Sequence, residues 1–216
     1  MKRKTQIILA ITCLALAALA CSTIMGGTRP LLEDDFASGR GLWGTGTDAD
    51  SSVEYAEGGL QILVFTPSYI TWTSPNATDY QNVHIEVTAR QNDANPTTAF
   101  GVICNEQGTS ASFYYFVITP SQEYAIVKAT EGQEDVFLTN NDRWGSSDLI
   151  PQNAASYRIG ADCGNGTLTL YVDGNQIISV SDTSYTTGRV GLITWGGDEA
   201  PSADVLFDDF VITSLP

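Results

Sequence analysis

The side chains from which this chain could build chemistry are one histidine, four tryptophans, four cysteines and 25 carboxylates. Acid–base hydrolysis of a glycosidic bond needs two carboxyls across the scissile bond. His84 stands in His84-Ile85-Glu86-Val87-Thr88, which brings one acid only, and the acids between Glu131 and Asp135 read as a solvated turn. No Gly-x-Ser-x-Gly elbow accompanies the single histidine, so nucleophilic catalysis lacks its parts. The aromatic residues point elsewhere. Trp144 lies in the polar loop Asn140-Asn141-Asp142-Arg143-Trp144-Gly145-Ser146, and Trp195 opens Trp195-Gly196-Gly197-Asp198-Glu199. A flat indole can stack on the C–H face of a sugar ring while a few placed polar groups take its hydroxyls. Trp144 and Trp195, with Asn141, Asp142 and Asp198 as polar partners, are therefore the candidate ligand-binding residues, and Tyr114 is a weaker third aromatic. Trp43 and Trp72 read as packing residues, in or beside apolar strands.

Metal chemistry has one opening. Asp34-Asp35 and Asp208-Asp209 fall near the two ends of the domain, in strands expected to pair when a sheet closes. Alternation sends one member of each doublet to a given face. Asp35 and Asp208 brought together, with backbone carbonyls, would offer hard oxygen ligands to a structural Ca²⁺. The competing reading is an acidic sheet edge that discourages strand addition. Zinc is not indicated, because no C-x₂₋₄-C or H-x₃₋₅-H cluster occurs.

The N-terminus decides the compartment. Lys2-Arg3-Lys4 precedes an uncharged, mostly apolar run from Thr5 to Ala20, which ends at Cys21. A basic start, a short apolar run and small residues before the break make a secretory signal. Ala18-Leu19-Ala20-Cys21 resembles the lipobox of bacterial lipoproteins, which implies lipidation of Cys21 as the first mature residue. The same residues fit ordinary cleavage before Cys21, and a retained membrane anchor is a third reading. All three place the remainder outside the cytoplasm. Residues 1–20 are thus expected to be the signal, 21–30 a lipidated cysteine and short tether, and 31–216 the folded domain. Loss of Lys2, Arg3 and Lys4 lowers Lys+Arg from 10 to 7 against 25 Asp+Glu, a net charge of −18. Such a surface repels nucleic acid, whose phosphates need clustered Lys/Arg. Cys13 leaves with the signal and Cys21 carries lipid, so Cys104 and Cys163 remain, and in an oxidising compartment a disulfide between them is expected.

The elements that must position these residues are strands. Val83, Ile85, Val87 and Ala89 alternate with polar neighbours, as do Leu60, Ile62 and Val64, and Leu168, Leu170 and Val172. Phe113 to Ile118 is apolar on both parities, as for a central strand covered on two sides. Asp173-Gly174 between two such runs supplies the positive φ of a tight hairpin. No helical period follows the signal. About a dozen short strands in one domain predict an all-β, two-sheet antiparallel sandwich.

Glu33-Asp34-Asp35-Phe36, Gly41-Leu42-Trp43, Gly58-Gly59-Leu60, Phe113-Tyr114-Tyr115-Phe116, Gly188-Arg189-Val190-Gly191-Leu192 and Phe207-Asp208-Asp209-Phe210-Val211 together resemble the frame of concanavalin A-like (laminin-G-like) jelly rolls. The resemblance spans roughly residues 31–214 and implies a jelly-roll fold. It also implies pairing of Cys104 with Cys163, which match two positions where cysteines recur in similar sequences. Glucanases of this fold carry Glu-x-Asp-x-(x)-Glu on one strand, and no such string occurs here. The reading is a lipid-anchored module that binds a glycan or cell-envelope ligand without catalysis. A structural or adhesion module contacting a surface protein is the alternative, and a hydrolase with acids from separate loops is the third.

Overall fold

The computed structural model describes residues 29–38, 41–75, 78–108, 110–198 and 203–216. The signal at 1–20, Cys21 and the tether to residue 28 lie outside the described residues. In chain order the strands are β1 (Leu32–Asp34), β2 (Gly46–Thr47), β3 (Ser51–Ala56), β4 (Gly59–Val64), β5 (Ile70–Thr73), β6 (Val83–Gln91), β7 (Ala99–Glu106) and β8 (Phe113–Ile118). They continue as β9 (Glu123–Ala129), β10 (Val136–Phe137), β11 (Gly145–Ser146), β12 (Tyr157–Gly164), β13 (Thr167–Val172), β14 (Asn175–Ser181), β15 (Arg189–Trp195) and β16 (Asp204–Ser214). One sheet runs β14-β13-β12-β6-β16-β4-β3-β2, with β1 also on β16, and the other runs β10-β9-β8-β7-β15-β5, with β11 also on β9. All the pairings are antiparallel. The all-β, two-sheet sandwich expected from the period-two pattern is the architecture found.

Alternation builds the core between the sheets. Val83, Ile85, Val87 and Ala89 of β6 point inward beside Ile159 and Ala161 of β12, and meet Phe100, Val102 and Phe116 from the other sheet. In β16 a bulge between Asp208 and Val211, with Asp209 at φ 50°, resets the parity. Phe207 and Phe210 therefore both enter the core, although they are three residues apart. Asp173 and Gly174 sit at φ 49° and 77° between β13 and β14, the hairpin conformation their types predict. Trp43 is a packing residue, edge-on to Phe210 at 4.9 Å, and its Nε1–H donates to Oδ2 of the buried Asp34 at 3.1 Å.

Cys104 of β7 and Cys163 of β12 form a disulfide across the sandwich, with Cα atoms 6.6 Å apart. The bond ties one sheet to the other near the end of β12, where Cys163 pairs with Val83, the first residue of β6.

Candidate functional site

The seven-stranded sheet is apolar on both faces, and its outer face is where the aromatic residues gather. Phe113, Tyr115 and Val117 of β8 join Ala99 and Ile103 of β7, Ala125 and Val127 of β9, and Ile193 of β15 in a second cluster, separate from the inter-sheet core. Ile70, Trp72, Phe137, Trp144 and Trp195 cover this floor and stay half-buried. Strand register explains the gathering. Trp195 pairs with Ile70 and Ile193 with Trp72, so all four side chains share one face of β15 and β5.

Trp144 and Trp195 come from distant parts of the chain and stack, with ring centroids 6.2 Å apart and planes 27° apart. They line a cavity of about 260 Å³ with Ser68, Tyr115, Asp135 and Phe137 among its other walls. The Tyr115 hydroxyl donates to Asp135 Oδ2 at 2.8 Å. Burial of Tyr115, reinforced by the Asp135 carboxylate, pushes its phenol well above the usual range, so it remains a neutral donor. The cavity thus has two indoles and a hydrogen-bonded carboxylate among its walls.

The loop before Trp144 is built by its polar residues. Asn140, Asn141 and Asp142 hold three successive positive φ angles of 46°, 55° and 64°, a conformation that Asn and Asp tolerate better than most residues. Asp142 Oδ1 accepts the Phe137 N–H at 3.0 Å, and the Asn140 side-chain amide donates to the Trp144 carbonyl at 2.7 Å. Gly145 follows because a Cβ there would stand 2.4 Å from the Tyr124 ring. Asn141, Asp142 and Asp198 are exposed and lie outside the cavity lining, whereas Trp144 and Trp195 are in it. Asp135, Tyr115 and Phe137 escaped the sequence reading. Asp135 looked like part of a solvated turn, and the two-sided apolarity of β8 was the one signal for Tyr115.

One aromatic expectation is corrected. Tyr114 does not face a ligand. It is fully buried between the sheets, bonds Asp182 through its hydroxyl and accepts the Tyr185 N–H at 3.0 Å. Period two separates Tyr114 from Tyr115, but cannot say which meets the other sheet when both faces are apolar. Trp72 packs as expected, against the second apolar cluster. It lies on the outer face against Phe113, at 5.1 Å, and donates from Nε1 to Glu106 Oε1 at 3.1 Å.

Glu106 anchors a second, larger depression of about 570 Å³ beside the edge strand β5. Its side chain is only 7% exposed and lies 3.1 Å from Arg189 Nε, an ion pair without hydrogen-bond alignment. Its other oxygen contacts are the Trp72 indole and the Ser74 hydroxyl, at 3.1 and 2.7 Å. Glu106 and Asp135 are both tied to protein donors, and the centre of the face between them is carried by Ile103, Tyr115, Val117 and Ile193. Asp48 lines the same depression as Glu106.

β1 pairs with β16, which sets Asp34 opposite Phe210. Asp34 is spent on Trp43 and on the Phe36 N–H, Asp35 Oδ1 accepts the Ala37 N–H and Asp208 Oδ1 the Asp209 N–H. No group of three or more His, Cys, Asp or Glu side chains that could hold a metal occurs among the described residues. The expected calcium ion on Asp35 and Asp208 would have to share these carboxylates with the backbone N–H groups they accept. His84 sits on the opposite sheet's outer face, with Nδ1 2.6 Å from Asp162 Oδ1 and Nε2 3.2 Å from Glu86 Oε1, and Arg158 pairs with Glu86 at 3.0 Å. These side chains form a surface network far in the fold from the two tryptophans, since they lie on the other sheet.

No protein-family model matches the chain, and no curated protein sequence matches it. Solved structures do. A carbohydrate-binding module, CBM66 from Bacillus subtilis, superposes with a TM-score of 0.63 at 14% identity over 80% of this chain and 96% of that one. A Bacillus subtilis protein of unknown function with a galectin-like fold gives 0.62 at 10% identity over 88% and 98%. A Bacillus licheniformis β-glucanase gives 0.57 at 14% identity over 89% and 100%. At these identities the likeness is one of fold, and it agrees with the two-sheet topology: the chain has a jelly-roll sandwich fold of the concanavalin A-like type.

Proposed function

We propose that the mature domain is an extracytoplasmic module, anchored by lipid on Cys21, that binds a glycan or cell-envelope polysaccharide through Trp144 and Trp195 without acting on it. The observation that carries this reading is the stacked pair of half-buried indoles over a cavity with a fixed carboxylate. Folds of this kind serve many chemistries, so the argument rests on the site and not on the fold. The similar structures include a carbohydrate-binding module and a glucanase, which is consistent with a saccharide ligand. Binding is favoured over hydrolysis because Glu106 and Asp135 are both tied to protein donors and the sequence carries no Glu-x-Asp-x-(x)-Glu string. Lipid anchoring rests on the sequence Ala18-Leu19-Ala20-Cys21 alone.

Screening the mature domain against arrayed glycans and envelope polysaccharides tests the reading. A specific hit should weaken at least tenfold, about 1.4 kcal/mol, in Trp144→Ala and in Trp195→Ala. A blank array with correctly folded protein would transfer the function to protein contact. For the anchor, Cys21→Ser should move the protein from the membrane to the soluble fraction of its cells. Unchanged membrane association would remove the lipid.

A further inference from the structure

The outer face carries two neighbouring depressions. Ile70 lines both, with Trp195 and Trp144 on one side of it and Trp72 on the other. Because Trp195 pairs with Ile70 and Trp72 with Ile193, the two indoles stand on adjacent strands, offset by two residues. Strand geometry puts their Cα atoms about 8 Å apart. The three tryptophans therefore form a row across β5 and β15 toward the β11 loop.

The Trp72 end is a built wall. The indole is pinned by its bond to Glu106, and Glu106 in turn is buried and held by Ser74 and Arg189. The trough is also lined by Thr45, Thr47 and Ser51, hydroxyl-bearing residues of β2, its flank and the start of β3. An aromatic plate in a trough lined with hydroxyls suits a sugar ring. Charge narrows the ligand further. The two depressions contain Asp48, Glu106 and Asp135, and their one cation, Arg189, is already paired with Glu106. A polyanion entering this row would meet like charge on a domain already strongly acidic.

We infer that Trp72 and the trough along β5 form a second saccharide subsite, so that the module takes an internal stretch of an uncharged polysaccharide laid across Trp144, Trp195 and Trp72. This inference rests on the glycan reading of the Trp144–Trp195 cavity. Its signature is length. A short oligosaccharide fills the first cavity alone, and a longer one gains the Trp72 contact.

The test is calorimetric titration of the mature domain with trisaccharides and hexasaccharides of neutral glucan, mannan, xylan and fructan chains. Two variants address the trough separately. Trp72→Ala removes the plate. Gly46→Trp adds bulk where a Cβ meets no atom within 4 Å, so it obstructs the trough without disturbing packing. Wild type should bind a hexasaccharide at least tenfold more tightly than its trisaccharide. Both variants should lose that gain and keep the trisaccharide affinity, while Trp144→Ala loses binding at both lengths. A wild type indifferent to length, or a gain that survives in both variants, overturns the second subsite and leaves the first cavity standing. Wild type that binds none of the chains overturns both.

Discussion

His84 is the chain's one histidine, and its neighbours give it a pH dependence. The bond to Asp162 raises its pKa above 6.5, Glu86 adds to this, and burial opposes it without prevailing. For Glu86, burial would raise the pKa, but the bonds from His84 and Arg158 outweigh it and hold the carboxyl below 4.5. The raised histidine contributes stability that is complete below its unfolded value, about 6.5, and lost as pH rises through its folded value. The depressed glutamate contributes stability that is complete above 4.5 and lost as pH falls through its folded value. The network should therefore stabilise most between pH 4.5 and 6.5. Because the side chains are a quarter to a third exposed, its size should be about 1 kcal/mol or less. Urea denaturation of wild type should lose this increment as pH rises above 6.5, and His84→Gln should not. Parallel curves for the two proteins would remove the network's role. The acid doublets lead to a second expectation at this scale. With Asp34, Asp35 and Asp208 engaged by neighbouring donors, melting midpoints in calcium and in chelator should coincide, and a rise with calcium would restore the metal.

Elements show how far pattern reaches. The strands were legible because period two is written in β6, β4 and β13, and because Asp173-Gly174 can only be a turn of one hand. The double burial of β8 was legible too, and all six of its residues are buried. What pattern could not supply is the identity of each face. A strand apolar on both sides gives no reason to prefer Tyr114 or Tyr115 as the inward residue, and the answer depends on partners remote in sequence. Trp144 and Trp195 could be singled out one at a time from their polar loops. Their stacking could not, because it follows from the pairing of β15 with β5 and of β11 with β9. The polar triplet Asn140-Asn141-Asp142 illustrates the converse difficulty, since groups suited to a ligand serve the loop's backbone. Asp142→Ala should therefore weaken saccharide binding several-fold by loosening the Trp144 loop, with increased proteolytic nicking near residue 142. Lost binding with unchanged protease resistance would instead make Asp142 a direct contact.

At the scale of the whole molecule, the two sheets meet through side chains and one covalent link. Their hydrogen bonds run within each sheet, so nothing in the backbone ladders opposes their separation. The core of Phe100, Phe116, Phe207, Phe210 and their neighbours supplies the cohesion, and a domain of this size buries enough apolar surface to fold on such a core. The disulfide acts on the other side of the equilibrium. Cys104 and Cys163 are separated by 59 residues, and closing a loop of that length restricts the unfolded chain by about 4 kcal/mol in the chain-entropy model. The position matters as well as the length, because β7 and β12 belong to different sheets and the bond holds the unfolded chain near its native sheet-to-sheet apposition. The double variant Cys104→Ala/Cys163→Ala keeps small apolar residues in the core and removes only the tether. Its unfolding free energy in urea should fall by about 4 kcal/mol, with the Trp144–Trp195 cavity still competent to bind in the fraction that remains folded. A loss under about 1 kcal/mol would mean that the unfolded chain already keeps these strands together, and that the core alone sets the stability of the sandwich.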